Sequence, residues 1–152
     1  MDPRNILSET LGKINRFFME TLKITILGRI PSKKNSKQLI YNGGRAFLIP
    51  SKKHKEWHED ASLQLLARRW IPKKPIENAK VEMIFFAPDR IKADSTNKGE
   101  SVMDLLVDNL VLKDDNWFLI GDLHFKFGGV DRKNPRVEIT IEDVGSEADM
   151  AK

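Results

Sequence analysis

At 152 residues, with 40% hydrophobic and 32% charged content, the chain is long enough to bury a core as one domain and has the composition of a globular protein. It has no cysteine, which excludes disulfides, thiolate catalysis and cysteine-based zinc sites. No apolar run approaches the ~20 residues of a membrane span, and the N-terminus lacks the apolar core of a signal peptide, so no membrane partner and a cytoplasmic location are expected. The formal charge of +4 is modest but unevenly spread. Thr21 to Lys55 holds nine Lys or Arg and no acid, whereas Asp94 to Asp115 carries six carboxylates in 22 residues.

Residues 1–20 read as an N-terminal extension. It is either a short amphipathic helix, with Leu7, Leu11, Ile14 and Phe18 near helical spacing, or a non-native addition, since Met19 sits just before the first strand signal. Leu22, Ile24 and Ile26 alternate with polar residues as a half-buried strand does. Gln38 to Tyr41 and Ala46 to Ile49 flank Asn42-Gly43-Gly44, a hairpin signal. Ser51 to Trp70 reads as a helix, with Trp57, Ala61 and Leu65 four apart, Leu66 and Trp70 beside them, and Pro72 and Pro75 ending it. Val81, Met83 and Phe85 mark a strand that ends at Pro88. Leu123, Phe125 and Phe127 mark another, and Val137, Ile139 and Ile141 a third, with Gly128-Gly129 and Asn134-Pro135 as the turn between them. The expected domain is 21–143, followed by a flexible acidic tail over 144–152. Its fold class is mixed α/β (α+β): a small mixed sheet flanked by two principal helices.

The second helix is expected from Asn97 to Leu112. Val102, Met103, Leu105, Leu106 and Leu110 gather on one side, and Asn97, Ser101, Asp104 and Asp108 on the other. Asn97 can serve as its N-cap with Glu100 completing a cap-like pair, and Asp108 reads as a solvent-facing acid. Asp94 precedes this helix, and Asp114-Asp115 follows it. Carboxylates clustered in an otherwise basic chain repel one another unless a cation neutralises them, which points to a hard metal such as Mg²⁺ or Mn²⁺. The acid-free basic stretch points to a polyanion as the partner.

The order Asp94, Asn97, Asp104, Asp114, Asp115 resembles the acidic motif of the RusA family of Holliday-junction resolvases. Gly28-Arg-Ile-Pro31-Ser-Lys33-Lys34-Asn35-Ser36 is similar to that family's opening strand and basic loop. Ile49-Pro50-Ser51-Lys52-Lys53 followed by Trp57 is similar to its phage-like members, and the likeness covers Leu22 to Ile141. Two positions depart from the pattern. Thr96 stands where the family carries a second Asp, and Glu100 where it carries a Lys, while Lys98 appears two residues earlier. The exchange either keeps the complement of three carboxylates and one Lys by another route or leaves the site damaged.

The resemblance implies a homodimeric, Mg²⁺- or Mn²⁺-dependent endonuclease that resolves four-way DNA junctions by paired symmetric nicks in recombination and repair. It implies Asp94, Glu100 and Asp115 as metal-binding and catalytic, with Lys98 as the catalytic cation and Asn97, Asp104 and Asp114 in support. Lys33, Lys34, Lys37, Lys52 and Lys53 would grip phosphates. The alternative is a non-catalytic DNA-binding protein that keeps the fold, and a third reading is an interaction domain without a nucleic-acid partner. His54 and His58, four apart, lack a third zinc ligand and read as a polar helix face. Trp57, Trp70 and Trp117 read as core, with Trp117, beside the acidic pair, the exception to watch.

Overall fold

A computed structural model describes residues 20–35 and 37–145. The extension 1–19 and residues 146–152 of the tail lie outside the described residues. The elements in chain order are β1 (Glu20–Leu27), a short 3-10 turn (Lys33–Asn35), β2 (Lys37–Asn42), β3 (Arg45–Pro50), α1 (Lys52–Ala67), β4 (Ala79–Ala87), α2 (Ser95–Asp108), β5 (Ile120–Val130) and β6 (Arg136–Asp143). The architecture is mixed α+β, and no helix among the described residues is long and apolar enough to cross a membrane.

Four strands form the main sheet in the order β1-β6-β4-β5. β6 is antiparallel to both neighbours, while β5 runs parallel to β4, so β4–α2–β5 is a crossover unit. Register lines up the inward residues: Ile24 and Met83 both lie opposite Ile139, and Ile26 and Phe85 both lie opposite Val137. Both helices cover this apolar face, joining Trp57, Ala61 and Leu65 of α1 and Val102, Leu105 and Leu106 of α2 to one core. The alternation expected for β1, β4 and β6 is present, with the even-spaced apolar residues buried.

β2 and β3 form a separate two-stranded hairpin. Its turn residues are Gly43 and Gly44, both at positive φ, while Asn42 pairs with Arg45 in the ladder. Gly128-Gly129 corrects an expectation. These residues lie inside β5, at an irregularity opposite Phe86, because a side chain at 128 would run into Ile84 and Phe86. The turn into β6 begins at Asp131, whose carboxylate accepts from the Asn134 N–H at 3.1 Å and the Arg136 guanidinium at 2.9 Å.

Both helices end earlier than their sequence patterns suggest. α1 stops at Ala67, before the two prolines, because Arg69 turns left-handed and Trp70 N–H reaches back to the Leu65 carbonyl at 3.0 Å. Leu66 is therefore exposed, and Trp70 only borders the core. α2 stops at Asp108 in the same manner, with Leu110 left-handed and Val111 N–H donating to the Leu106 carbonyl at 2.9 Å. Leu110 is 61% exposed instead of joining the apolar side, and Ser101, expected on the polar side, is fully buried. Of the acidic tail, Val144 and Gly145 are described, and both are hydrogen-bonded to Asn78.

Candidate functional site

The start of α2 is set by Asp94, not by Asn97. Asp94 is extended (φ −88°, ψ 115°), and one carboxylate oxygen accepts from the Thr96 N–H at 2.9 Å. Its second oxygen accepts from the Asn97 side-chain amide at 3.1 Å, so Asn97 supports the cap from inside the first turn. Asp and Asn are about equally good caps; here the three residues after Asp94 already close a helical turn, with Lys98 N–H donating to the Asp94 carbonyl at 3.2 Å.

This first turn divides two clefts. On one side Thr96, Glu100, Met103 and Asp104 face Asp115, Lys33, Leu123 and Phe125 around a cavity of about 330 Å³. On the other, Asp94, Asn97 and Lys98 border a larger cleft of about 1110 Å³, with Arg29, Lys34, Arg90, Lys92 and Arg136 around it. Gly99 lies between them, pressed against the Phe125 ring, and a side chain there would overlap that ring. The close approach of α2 to β5 thus rests on a residue without Cβ.

Of the expected metal set, the fold brings Glu100 and Asp115 to one cavity together with Asp104, and takes Asp94 to the other cleft as a helix cap. Asp104 is more central than its expected supporting place, and it forms an ion pair with Lys33. Among the described residues, no three acidic or histidine side chains are grouped closely enough to hold a metal ion. The donors around the smaller cavity, Glu100, Asp104 and Asp115, are all hard carboxylate oxygens, and by that chemistry they fit Mg²⁺ or Mn²⁺.

The Asp114–Asn116 turn separates its two acids electrostatically. Asp114 is held below the usual carboxylate range by the Asn116 amide, at 3.0 Å, and by the Asp115 backbone N–H, at 2.8 Å. Asp115 is pushed up by burial, then by its hydrogen bond to Asp114 and the charges of Asp114 and Asp104. Asp114 is thus a turn-former, and Asp115 a carboxylate crowded by others of its kind.

The cations are redistributed as well. Lys98 does not join the carboxylates: it donates to the Ile30 carbonyl, and its pKa is lowered by burial and then by nearby Arg29. Lys33, expected to grip phosphate, is the cation that borders the acidic cavity. Lys34 borders the larger cleft. Lys37, Lys52 and Lys53 are exposed on β2 and at the start of α1, with Lys52 3.8 Å from Glu56, and they border neither cleft. Arg29, Arg90, Lys92 and Arg136 line the larger cleft and were not singled out by sequence. Arg29 pairs with Asp89, and Arg136 lies 3.9 Å from the centre of the Phe86 ring.

His54 also departs from the polar face expected of it. Burial, then His58 and Lys33, lower its pKa, and its Nε2 is buried without a partner. His58 meets Asp108 at 2.9 Å across the two helices, which ties down the acid read as solvent-facing. Trp117 is not core: it and Phe118 are each 80% exposed.

Comparison of the sequence with protein-family models and with curated proteins finds no match.

Proposed function

We propose that the chain is a metal-dependent endonuclease that cuts four-way DNA junctions by paired nicks, working as a homodimer in the cytoplasm, as its resemblance to the RusA family implies. The observation that carries this reading is the meeting of Glu100, Asp104 and Asp115 around one cavity, with Lys33 at its edge and a cleft bordered by six further cations across the same helix turn. A phosphodiester is an anion that repels an anionic nucleophile, and its cleavage builds charge on the phosphoryl and leaving oxygens. Glu100, Asp104 and Asp115 line the cavity too far apart to hold one ion as they stand, so they would have to draw together around Mg²⁺ or Mn²⁺, which when bound would supply charge neutralisation and a more acidic water. Asp115 would be one of those ligands, on the wall of the cavity that Lys33 also borders. Lys33 adds positive charge beside the scissile phosphate. Arg29, Lys34, Arg90 and Lys92 would hold the flanking backbone.

Support for a dimer comes from the β2–β3 hairpin. Leu39, Tyr41 and Leu48 share one exposed face of a two-stranded ribbon, an arrangement that is marginal in water without a partner. A two-fold pair of subunits suits a junction with two equivalent strands to cut.

The test is cleavage of a four-way junction against linear duplex, with and without Mg²⁺, by the wild type and Asp115→Asn. The expected result is Mg²⁺-dependent junction cutting that Asp115→Asn abolishes while junction binding survives. Binding without cutting in either Mg²⁺ or Mn²⁺ sinks the enzymatic reading. Thr96 and the open spacing of the carboxylates favour one competing reading, a non-catalytic DNA-binding protein whose affinity falls with salt and ignores metal.

A further inference from the structure

We propose that Trp117 and Phe118 form a stacking platform for an unpaired nucleobase at a DNA branch point, which sets the branch beside Asp115. This inference rests on the nuclease reading and supplies what that reading lacks, a source of preference for branched over linear DNA. The two rings are each 80% exposed and stand edge to face, with centroids 6.1 Å apart at 81°. The other tryptophans are used differently: Trp57 is buried, and Trp70 packs at the border of the core.

The turn that carries the pair is built to hold it out. The Asn116 side-chain oxygen accepts from the Phe118 and Leu119 N–H groups at 3.0 and 3.3 Å. The Asn116 carbonyl accepts from Leu119 and Ile120, and its amide is tied to Asp114. Two large apolar rings are therefore fixed in water, two and three residues beyond the carboxylate that borders the acidic cavity.

The chemistry of the surroundings narrows what would cover them. Two side chains supply far less than the roughly 1,200 Å² of a stable protein interface. A nucleobase matches one ring face, and each stacked base contributes enough to change affinity by about tenfold or more. The phosphates beside such a base would lie next to the turn that carries Asp115, whose cavity Lys33 also borders. In continuous duplex both faces of every base are already stacked. The platform therefore gains only where pairing is interrupted, as at a fork or the centre of a junction.

The experiment uses the full chain and a forked duplex with 2-aminopurine at the first unpaired position, beside a blunt duplex of the same sequence, in EDTA so that no strand is cut. Wild type is expected to change the 2-aminopurine fluorescence and to bind the fork about tenfold more tightly than the duplex. Trp117→Ala and Phe118→Ala should each erase most of that preference while leaving duplex affinity within about twofold, and Trp117→Phe should restore part of it. Circular dichroism checks that the variants are folded, as surface substitutions should be. No fluorescence change in wild type, or equal loss on fork and duplex in the variants, overturns the proposal. So does a variant that keeps its fork preference but changes sedimentation mass, which would make the pair a self-association contact. Failure of the nuclease reading is separable: a protein that never cuts in Mg²⁺ yet loses fork preference in Trp117→Ala keeps the platform and loses the enzyme.

Discussion

Replacing Asp115 with Asn should stabilise the metal-free protein and abolish its response to Mg²⁺, two effects of opposite sign from one substitution. The raised pKa of Asp115 means that the folded chain holds this proton more tightly than the unfolded one. Its ionised form therefore costs stability at neutral pH. The cost is absent below the ordinary value of 3.8 and grows as pH rises through the raised folded value. Asp115 is largely exposed, so water screens its neighbours, and like charges of this kind cost roughly 0.2–1 kcal/mol. Asn removes the charge, and relief of about 0.5 kcal/mol raises the Tm of a domain this size by about 1–3 °C. With Mg²⁺ at a hundred times its dissociation constant, the wild type gains about 2.7 kcal/mol, or about 5–10 °C. The variant should gain almost nothing. Scanning calorimetry at pH 7 and pH 3, with EDTA or Mg²⁺, reads both effects. A metal-free variant that melts several degrees lower, or one that keeps the full Mg²⁺ shift, refutes the carboxylate-cluster reasoning.

Asp94→Ala should lose about 1 kcal/mol of stability through the lost helix cap, whereas Asp94→Asn should keep both melting temperature and Mg²⁺-dependent cutting. If Asp94→Asn melts normally but cannot cut, Asp94 is a metal ligand, as the family order implies. Gly99→Ala sets a helix-propensity gain of about 1 kcal/mol against overpacking of roughly 1–3 kcal/mol at the Phe125 ring. Thermal melts should show a net loss of a few degrees that Phe125→Leu restores, and unchanged melting of the single variant would contradict the close contact. Leu110→Gly should raise the melting temperature by a few degrees, because a left-handed L-residue costs about 1–2 kcal/mol and an exposed leucine packs little. A fall would show that Leu110 packs more than its exposure suggests.

The elements that could be read from the sequence are those whose partners lie within the same segment. Alternation in β1, β4 and β6 exposes their buried faces, since a strand's side chains carry that information locally. Trp57, Ala61 and Leu65 do the same for α1. Helix ends were less legible because the usual glycine is absent: Arg69 and Leu110 take the left-handed position, and nothing in their chemistry announces it. The sequence pattern puts the start of α2 at Asn97, but Asp94 three residues earlier, an equally good capping residue, takes the cap. Trp117 reads as core by hydrophobicity, and only its place on a hydrogen-bonded turn leaves it in water. The site has the same limit. Glu100 and Asp104 are one turn apart on a helix, so their sharing a cavity is legible, but the Lys33–Asp104 pair spans 71 residues and no local spacing encodes it. The larger cleft gathers Arg29, Arg90 and Arg136 from three separate segments, so a count of cations along the chain points instead to Lys52 and Lys53.

The geometry of α2 gives the Thr96 and Glu100 departures a physical meaning. At about 100° per residue, position 100 lies one turn along the same helix face as position 96, whereas position 98 points to the far side. Thr96 and Glu100 accordingly border the same acidic cavity, and Lys98 borders the other cleft. Set beside the RusA motif that the sequence resembles, a carboxylate at 100 in place of 96 would stay on the same wall, about 6 Å along the helix. Lys98 could not stand in for a lysine at position 100, because the helix carries it to the other cleft. Lys33, from the loop after β1, is the cation that stands beside the acids. On this geometry the two substitutions are not a simple trade of places. The carboxylate at 100 lies on the same face as position 96, and the positive charge beside it comes from a different element, so under the proposed nuclease reading activity should depend on Glu100 and Lys33 rather than on Lys98.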